Sequence, residues 1–256
     1  FKRQAKKMGL FDSVWCWTER DLDKEFVTRF ESKLTASIRG FGHFVWKPQV
    51  ILQALQMVDV GDTLLYLDSG SHLVVSGRPR LLEYIEMVEK SKTGILAFEL
   101  TMPESEWTKG DLLDFFKVRN SPLIVGTGQI QAGAIFVHRR PGVERLFLDW
   151  IDVFAKRFDL VDDTPSLSQN LDGFVAHRHD QSVFSLLAKK AGVTLLPASE
   201  QYPSSPGLQW KDLKQYPLHH RRDKLRKMQA IQGYLKYKRE PVDLLLMRFK
   251  KMLLGK

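Results

Sequence analysis

The sequence predicts an α/β fold built around one main domain, and three observations lead to this prediction. Short apolar runs, of the length of buried strands, alternate along the chain with stretches whose apolar residues have helical spacing. A chain of 256 residues with 43% hydrophobic residues fits one α/β domain with an appendage. A carboxylate, Asp68, directly follows one of the apolar runs, and open α/β sheets bind ligands at the carboxyl ends of their strands.

Apolar periodicity and turn residues place the elements in order along the chain. The first helix stops at Gly9, and glycine, proline or Asp/Ser clusters bound most of the later elements. The predicted helices are residues 1–8, 21–30, 49–58, 78–89, 112–116, 143–158 and 183–190. The predicted strands are residues 13–17, 63–67 and 94–98, a run that ends at Val137, and residues 193–196.

Residues 39–71 carry the strongest functional signal. Within them, a loop rich in glycine and aromatic residues leads through a helix and a turn into the strand 63–67, which ends on Asp68, Ser69 and Gly70. Gly70 permits the backbone to approach a ligand closely. Two interpretations of Asp68 follow: it faces a ligand at the edge of the sheet, or it caps the next segment.

Three segments of this stretch carry a family resemblance: Arg39-Gly40-Phe41-Gly42, Trp46-Lys47-Pro48 and Tyr66-Leu67-Asp68-Ser69-Gly70. They resemble nucleotide-sugar glycosyltransferases of the type-A fold, in the version found in bacterial enzymes of O-antigen and capsule synthesis. The resemblance implies an α/β/α sandwich with a Rossmann-like mixed sheet. It also implies a nucleotide-binding strand before Phe1.

The same resemblance implies a donor site at Lys47, Asp68, Ser69 and Gly70. Lys47 would face the donor diphosphate as a point charge, or alternatively it is a solvated residue before Pro48, a favoured first residue of a helix. Gly70 stands where the family usually has a metal-binding Asp. Asp68 alone is then a weak ligand set for Mn²⁺ or Mg²⁺, so the resemblance implies the fold without implying metal dependence.

A second segment, residues 126–137, resembles the part of the family that lies between donor and acceptor. Gln131, Ala132 and Gly133 are the expected sugar contacts, because Gln131 offers hydrogen bonds and the glycines allow tight turns beside a sugar. Alternatively, this is an ordinary glycine-rich loop before a buried strand.

The run from His177 to Ser182 resembles a late family motif in which a carboxylate ahead of a helix faces the acceptor. It makes Asp180 the expected catalytic base of an inverting enzyme and places His179 among the acceptor contacts. Two other interpretations remain open: Asp180 is a helix N-cap beside exposed histidines, or the His-x-His-Asp pattern binds a metal.

Positive charge is concentrated in residues 211–256, which hold fourteen of the 39 Lys and Arg residues and four of the 30 Asp and Glu residues. We expect a catalytic domain over residues 1–210 and a basic, amphipathic helical tail over residues 211–256. An apolar stripe beyond Pro241 predicts that the tail lies on an anionic membrane surface. His219 or His220 supplies either a late metal ligand or part of the basic patch.

The sequence as a whole predicts a glycosyltransferase that moves a sugar from a nucleotide-sugar donor to a hydroxyl of a surface polysaccharide or a lipid-linked glycan. A single cysteine, Cys16, and the lack of any apolar run of ~20 residues favour a cytoplasmic protein on the inner face of the membrane. The alternatives are a carbohydrate-binding protein without catalysis and a basic nucleic-acid-binding protein. No nucleic-acid-binding motif accompanies the charge, so nucleic acid is not an expected partner.

Overall fold

The computed structural model describes residues 1–221 and 244–249. Within these residues, six strands form one mixed sheet with helices packed on both faces, and two short strands pair separately. The α/β fold class predicted from the sequence is therefore confirmed.

Each of the seven predicted helices is present with ends within three residues of the predicted ones. The helices of the described residues are α1 Lys2–Met8, α2 Lys24–Arg29, α3 Gly40–His43, α4 Trp46–Gln56, α5 Arg78–Lys90, α6 Glu104–Trp107, α7 Gly110–Phe115, α8 Pro122–Val125, α9 Arg145–Lys156 and α10 Asp180–Ala191. Of these, α3, α6 and α8 were not predicted. The strands are β1 Phe11–Trp17, β2 Thr63–Asp68, β3 His72–Leu73, β4 Ile95–Pro103, β5 Gly128–His138, β6 Thr194–Pro197, β7 Leu218–His219 and β8 Leu244–Phe249.

The strand order of the sheet, β1-β8-β2-β5-β4-β6, decides where a ligand site can form. Strands β5 and β8 run antiparallel to their neighbours, while β4 and β6 are parallel, so β1, β2, β4 and β6 all point the same way. Their carboxyl ends meet at one edge, which is the edge that carries Asp68. Binding sites of α/β sheets form at such edges.

Strand β2 lies in the middle of the core, which explains why its sequence is apolar without alternation. Leu64 and Tyr66 pack into the cluster beneath α4, α9 and α10, whereas Leu65 and Leu67 pack into the cluster beneath α1 and α5. Both faces of the strand are therefore covered. The last residue, Asp68, is the first one that reaches the surface of the sheet edge.

The predicted helical tail is wrong where the structure describes it. Residues 244–249 form strand β8, which pairs with β1 on one side and with β2 on the other, and Met247 is fully buried. A short apolar run is compatible with either a strand or a helix. Here it forms a strand because the backbone groups of β1 and β2 are available on both sides to hydrogen-bond with it. Residues 222–243 and 250–256 lie outside the described part of the chain.

The first residues of the predicted tail belong to the folded domain. Leu213, Leu218 and His219 are buried, and β7 pairs with β3 through His219 and His72. The predicted boundary at residue 210 therefore does not separate two units in this part of the chain. Among the described residues, no helix has the length and apolar composition that crossing a bilayer would require.

Of the two predicted loops, one belongs to a strand and the other contains a turn. The glycine-rich segment is part of β5, with Gly128 and Gly133 inside the strand, because small residues are required where other groups approach that strand closely. The predicted loop 39–48 contains the short segment α3 and the first turn of α4. Residues 40–44 all have positive φ, so α3 is a left-handed turn and not an ordinary α-helix, and the glycines at 40 and 42 suit this conformation.

Candidate active site

A cleft of about 1100 Å³ opens at the carboxyl edge of β2 and β4. Its walls come from the α3 segment, the ends of these two strands, the start of β5 and the segments around residues 178 and 202. The lining residues are Ala36, Ser37, Ile38, Arg39, Gly40, Phe41, Phe44, Trp46, Tyr66, Asp68, Ser69, Gly70, Leu100, Thr101, Met102, Gln131, Gly133, Arg178, Gln181, Tyr202 and His220. This volume and mixed polar and aromatic lining suit a small organic ligand.

A buried lysine joins two carboxylates beneath the cleft. Lys47 Nζ lies 2.9 Å from Asp180 Oδ2 and 3.4 Å from Asp68 Oδ1. Lys47 and Asp180 are only 5% and 3% exposed, whereas the Asp68 side chain is 41% exposed and faces the cleft. Three elements build this cluster: the first turn of α4, the end of β2 and the first residue of α10. We refer to Lys47, Asp68 and Asp180 as the lysine cluster.

The lysine cluster holds two carboxylates and one ammonium, so it carries net negative charge. Burial alone lowers the pKa of Lys47, but Asp180 and Asp68 outweigh burial, and this pKa is raised. Burial raises the pKa of Asp180, and Asp68 adds to the effect while Lys47 opposes it. Because both pKa values are raised, Lys47 and Asp180 bind their protons more tightly in the cluster than the same groups do in water.

Tyr66 fixes the orientation of Asp68. Its hydroxyl donates a 2.7 Å hydrogen bond to Asp68 Oδ1, the oxygen that also faces Lys47. Burial, followed by the charge of Asp68, raises the pKa of Tyr66 well above its ordinary value, so the hydroxyl stays a neutral donor. Tyr66 and Lys47 thereby fix Oδ1 of Asp68, while Oδ2 lies near Gly133 of β5.

Gly133 provides the space for that second oxygen. A Cβ atom at this position would lie 3.1 Å from Asp68 Oδ2 and 3.3 Å from Cε1 of His220. His220 is itself held by a 2.8 Å hydrogen bond between its Nδ1 and the Ser71 hydroxyl. The strand position of Gly133 thus brings a carboxylate and an imidazole together at the wall of the cleft.

The cleft also presents cationic and aromatic side chains. The Arg178 guanidinium stacks on Trp107 at 4.0 Å, and its Nη2 lies 3.7 Å from Met102 Sδ. Arg39 enters from the opposite wall, just before α3. Guanidinium groups recognise phosphate in bidentate fashion, and aromatic faces suit bases and sugars.

Amide side chains line the β5 wall. Gln131 donates to Gln201, and Gln181 donates to Gln129 with a length of 2.6 Å. Gln181 also accepts from the backbone N–H of Ala132 at 3.4 Å. These pairs fix the position of the wall, and Gln131 and Gln181 each contact the cleft.

The structure brings most of the predicted site residues to this cleft. Asp68, Ser69, Gly70, Gln131, Gly133 and His220 line it, Lys47 and Asp180 lie just beneath, and Ala132 is buried in β5. His179 lies behind the cleft, where its Nδ1 hydrogen-bonds the Val161 carbonyl. His219 is buried, and its Nε2 hydrogen-bonds the Leu213 carbonyl.

Sequence reasoning assigned no role to four cleft residues: Arg39, Arg178, Gln181 and Tyr202. Roles for Arg39 and Arg178 could have been predicted, because each is a cationic residue within a segment that resembles a family motif. Nothing in the local sequence of Tyr202 marks it as a cleft residue.

Backbone strain is concentrated around the site. Four non-glycine residues there have positive φ: Phe41, His43 and Phe44 in the α3 segment, and His179 before α10. Bulky side chains adopt this region at an energetic cost, and such residues cluster at functional sites. The two segments next to the lysine cluster are therefore held in place by their tertiary contacts.

A divalent cation at Asp68 does not fit the described residues. One oxygen of this carboxylate already accepts from Tyr66 and faces the Lys47 ammonium, and Gly70 contributes no side chain. Hard divalent cations require several oxygen ligands, and a nearby ammonium opposes their binding. Positive charge at this edge comes instead from Lys47, Arg39 and Arg178.

Comparison with known proteins adds little to this geometry. No family model matches the chain, and no curated protein does. Among solved structures, the apo form of mouse xyloside xylosyltransferase 1 aligns over 78% of this chain and 71% of that chain, with 12% sequence identity and a TM-score of 0.40. Similarity at this level identifies neither a family nor an activity.

Proposed function

We propose that the protein is a glycosyltransferase that uses a nucleotide-sugar donor. One observation carries the proposal: Asp68 projects from the carboxyl end of a central strand into a large cleft, held there by Tyr66 and Lys47. The motifs around residues 39–48 and 66–70, which suggested the activity from the sequence, form the adjoining walls of that cleft.

The reaction requires charge neutralisation more than any other contribution. The bond between the anomeric carbon and a diphosphate oxygen breaks, and the nucleoside diphosphate leaves with the electron pair while the acceptor oxygen bonds to the carbon. Arg39 and Arg178 line the cleft, and in this proposal they bind the diphosphate oxygens. Asp68 is placed to bind hydroxyl groups of the ribose or sugar.

The acceptor proton must go to a base in an inverting enzyme. Asp180 is the residue that the sequence motif suggests, and its raised pKa suits a base. Its burial and its contact with Lys47 support a second role, in which Asp180 positions the lysine that faces Asp68. The effect of Asp180→Asn on the pH profile separates the two roles.

The finer proposal concerns the acceptor. We propose a surface polysaccharide or lipid-linked glycan, with the enzyme held at an anionic membrane surface by the basic residues of segment 211–256. The support is the concentration of fourteen Lys and Arg residues there. Binding to anionic vesicles at low salt tests this part, and its failure leaves the transferase proposal untouched.

A thermal-shift screen tests the donor proposal. The full chain is heated with uridine, guanosine, thymidine and cytidine nucleotide sugars, with the matching free diphosphates, and with and without Mn²⁺. A true donor at 100 times its Kd stabilises the fold by about 2.7 kcal/mol. Release of nucleoside diphosphate is then measured for any hit. If no nucleotide sugar shifts the transition, the proposal is wrong.

A carbohydrate-binding protein without catalysis is the second candidate. The observation that favours it is Gly70, which leaves Asp68 as one carboxylate with an oxygen already hydrogen-bonded to Tyr66. It predicts stabilisation by free sugars or glycans without release of nucleoside diphosphate under any condition. Turnover by wild-type protein that disappears in Asp68→Asn excludes it.

A further inference from the structure

Two histidines and an aspartate converge behind the cleft, away from Asp68. His43 lies at the end of α3, Asp163 in the segment after α9, and His179 immediately before α10. One ligand atom of each lies within 4.8 Å of the others, and His179 Nε2 is 3.6 Å from Asp163 Oδ1. The two imidazole rings are 4.5 Å apart between centroids.

Both histidines are buried, with a nitrogen that makes no hydrogen bond. His43 is 6% exposed and His179 is 2% exposed, and among the described residues His43 Nδ1 and His179 Nε2 have no hydrogen-bond partner. Buried polar atoms are nearly always satisfied in folded proteins. Two such buried atoms on neighbouring histidines, with the Asp163 carboxylate nearby, point to a ligand bound among the three side chains.

The hydrogen bonding of His179 prepares it for a metal. Its Nδ1 lies 2.8 Å from the Val161 carbonyl, which can only accept, so Nδ1 carries a proton and Nε2 is the ring atom left to bind a metal. A histidine that binds a metal through one ring nitrogen usually donates a hydrogen bond from the other ring nitrogen to a carbonyl or carboxylate, as Nδ1 of His179 does here.

We propose that His43, Asp163 and His179 bind a divalent transition-metal ion, with zinc as the expected ion. Two imidazoles and a carboxylate are a ligand set that zinc accepts, and water would complete the coordination. Zinc about 2.1 Å from each atom needs the ligand atoms about 3.4 Å apart, close to the His179–Asp163 separation. The Asp163 side chain is 73% exposed, so it can move inward to close the site.

The backbone gives independent support for this site. His43 and His179 both have φ near +51°, a conformation that costs energy for a branched or bulky side chain. Metal coordination would compensate for that strain. It would also tie the α3 segment to the segment before α10, and Lys47 and Asp180, which contact each other, follow these two segments in the chain.

Metal binding by the full chain tests the proposal directly. After removal of metal with a chelator, the protein is titrated with Zn²⁺ by calorimetry and with Co²⁺ by visible absorption, because Co²⁺ reports its own coordination. We expect one ion per chain and Co²⁺ bands of a low-coordinate nitrogen and oxygen site. Asp163→Asn and His43→Asn should each weaken binding at least tenfold, and asparagine at residue 43 tolerates the positive φ.

Two control variants locate the ion. Asp172→Asn removes an exposed carboxylate from the same segment, and Asp68→Asn removes the carboxylate in the cleft; both should bind zinc as wild type does. Failure of the wild-type chain to bind zinc or cobalt overturns the proposal, as does equal binding by wild type and Asp163→Asn. Loss of binding in Asp68→Asn alone would instead place the metal in the cleft. None of these measurements depends on the transferase activity.

Discussion

The described part of the chain contains two buried pairs of lysine and carboxylate that have the same separation but different surroundings. Lys47 Nζ lies 2.9 Å from Asp180 Oδ2, and Lys189 Nζ lies 2.9 Å from Glu104 Oε2. All four side chains are less than a tenth exposed. The first pair lies directly beneath the cleft, and the second lies in the core between α6 and α10.

The Lys189–Glu104 pair is fully satisfied. Glu104 Oε1 accepts from Thr108 and from Gln129, and Oε2 accepts from Ser185. Lys189 also donates to two backbone carbonyls. The partners of this pair, Glu104, Thr108, Gln129, Ser185 and Lys189, do not line the cleft.

The lysine cluster extends to the cleft. The ammonium of Lys47 is shared between the buried Asp180 and Asp68, and the Asp68 side chain is 41% exposed and lines the cleft. A buried network that saturates its donors and acceptors serves packing and specificity, whereas one that leaves capacity beside a cleft is available for a ligand. From this contrast we expect Glu104 to matter for stability and Lys47 to matter for the proposed activity.

Glu104→Gln should have the largest effect, and the effect should be on stability. The substitution leaves Lys189 as an uncompensated buried cation, which costs about 3–5 kcal/mol of unfolding free energy. Urea denaturation followed by circular dichroism measures it. Nucleotide-sugar binding by the fraction that remains folded should be unchanged; a selective loss of binding would erase the distinction between the two pairs.

Lys47→Met is the matched change in the lysine cluster, and here we expect the loss in turnover. Removing the cation that faces Asp68 should lower kcat/KM by about 10²–10³, the effect of removing one preorganised electrostatic contact. Asp180 can take up a proton when its partner is lost, so the fold should suffer less than in Glu104→Gln. Wild-type turnover with a large loss of stability would reverse our assignment.

Gly133→Ala sharpens the comparison at the outer oxygen of Asp68. The added methyl group would lie 3.1 Å from Oδ2, so the carboxylate or His220 must move by a few tenths of an ångström. We expect donor affinity to fall about tenfold, equivalent to about 1.4 kcal/mol. Gly70→Ala is the comparison for stability, since its Cβ meets nothing within 4 Å. Calorimetry with the best donor from the thermal screen measures the difference.

The pH dependence of the lysine cluster should give the smallest effect. The pKa of Asp180 is raised above 3.8, so its contribution to stability is complete below that value and declines as pH rises through the raised pKa. Lys47, whose pKa is also raised, contributes its full stabilisation below pH 10.5, and this contribution is lost at more alkaline pH. We therefore expect the unfolding free energy of the wild type, measured from pH 4 upward, to fall relative to that of Asp180→Asn.

Asp180→Asn also separates its two possible roles in the proposed reaction. A base leaves its pKa in the pH profile of kcat, and that limb should disappear in the variant. A residue that only positions Lys47 should leave the profile in place while raising KM. Equal loss of donor binding and of rate would support the positioning role.

The order of helices and strands could be predicted because it depends on local pattern. Leu64, Leu65 and Leu67 belong to an apolar run that is typical of a buried strand or helix. The turn at Gly61 and the carboxylate of Asp68 mark the two ends of this run. The position of Asp68 at the sheet edge followed from that strand. The helices of residues 78–90 and 180–191 were likewise visible in their spacing and stops.

Tertiary contacts decided the rest. Residues 244–249 are a strand because two strand edges were available to pair with them, which no local pattern records. Lys47 meets Asp180, and His43 meets His179, because α4 and α10 pack on the same face of the sheet and start at the same edge. Whether a carboxylate is saturated, as at Glu104, or partly open to a cleft, as at Asp68, depends on groups far apart in the chain. That difference, which separates structural residues from candidate functional ones, is set by packing alone.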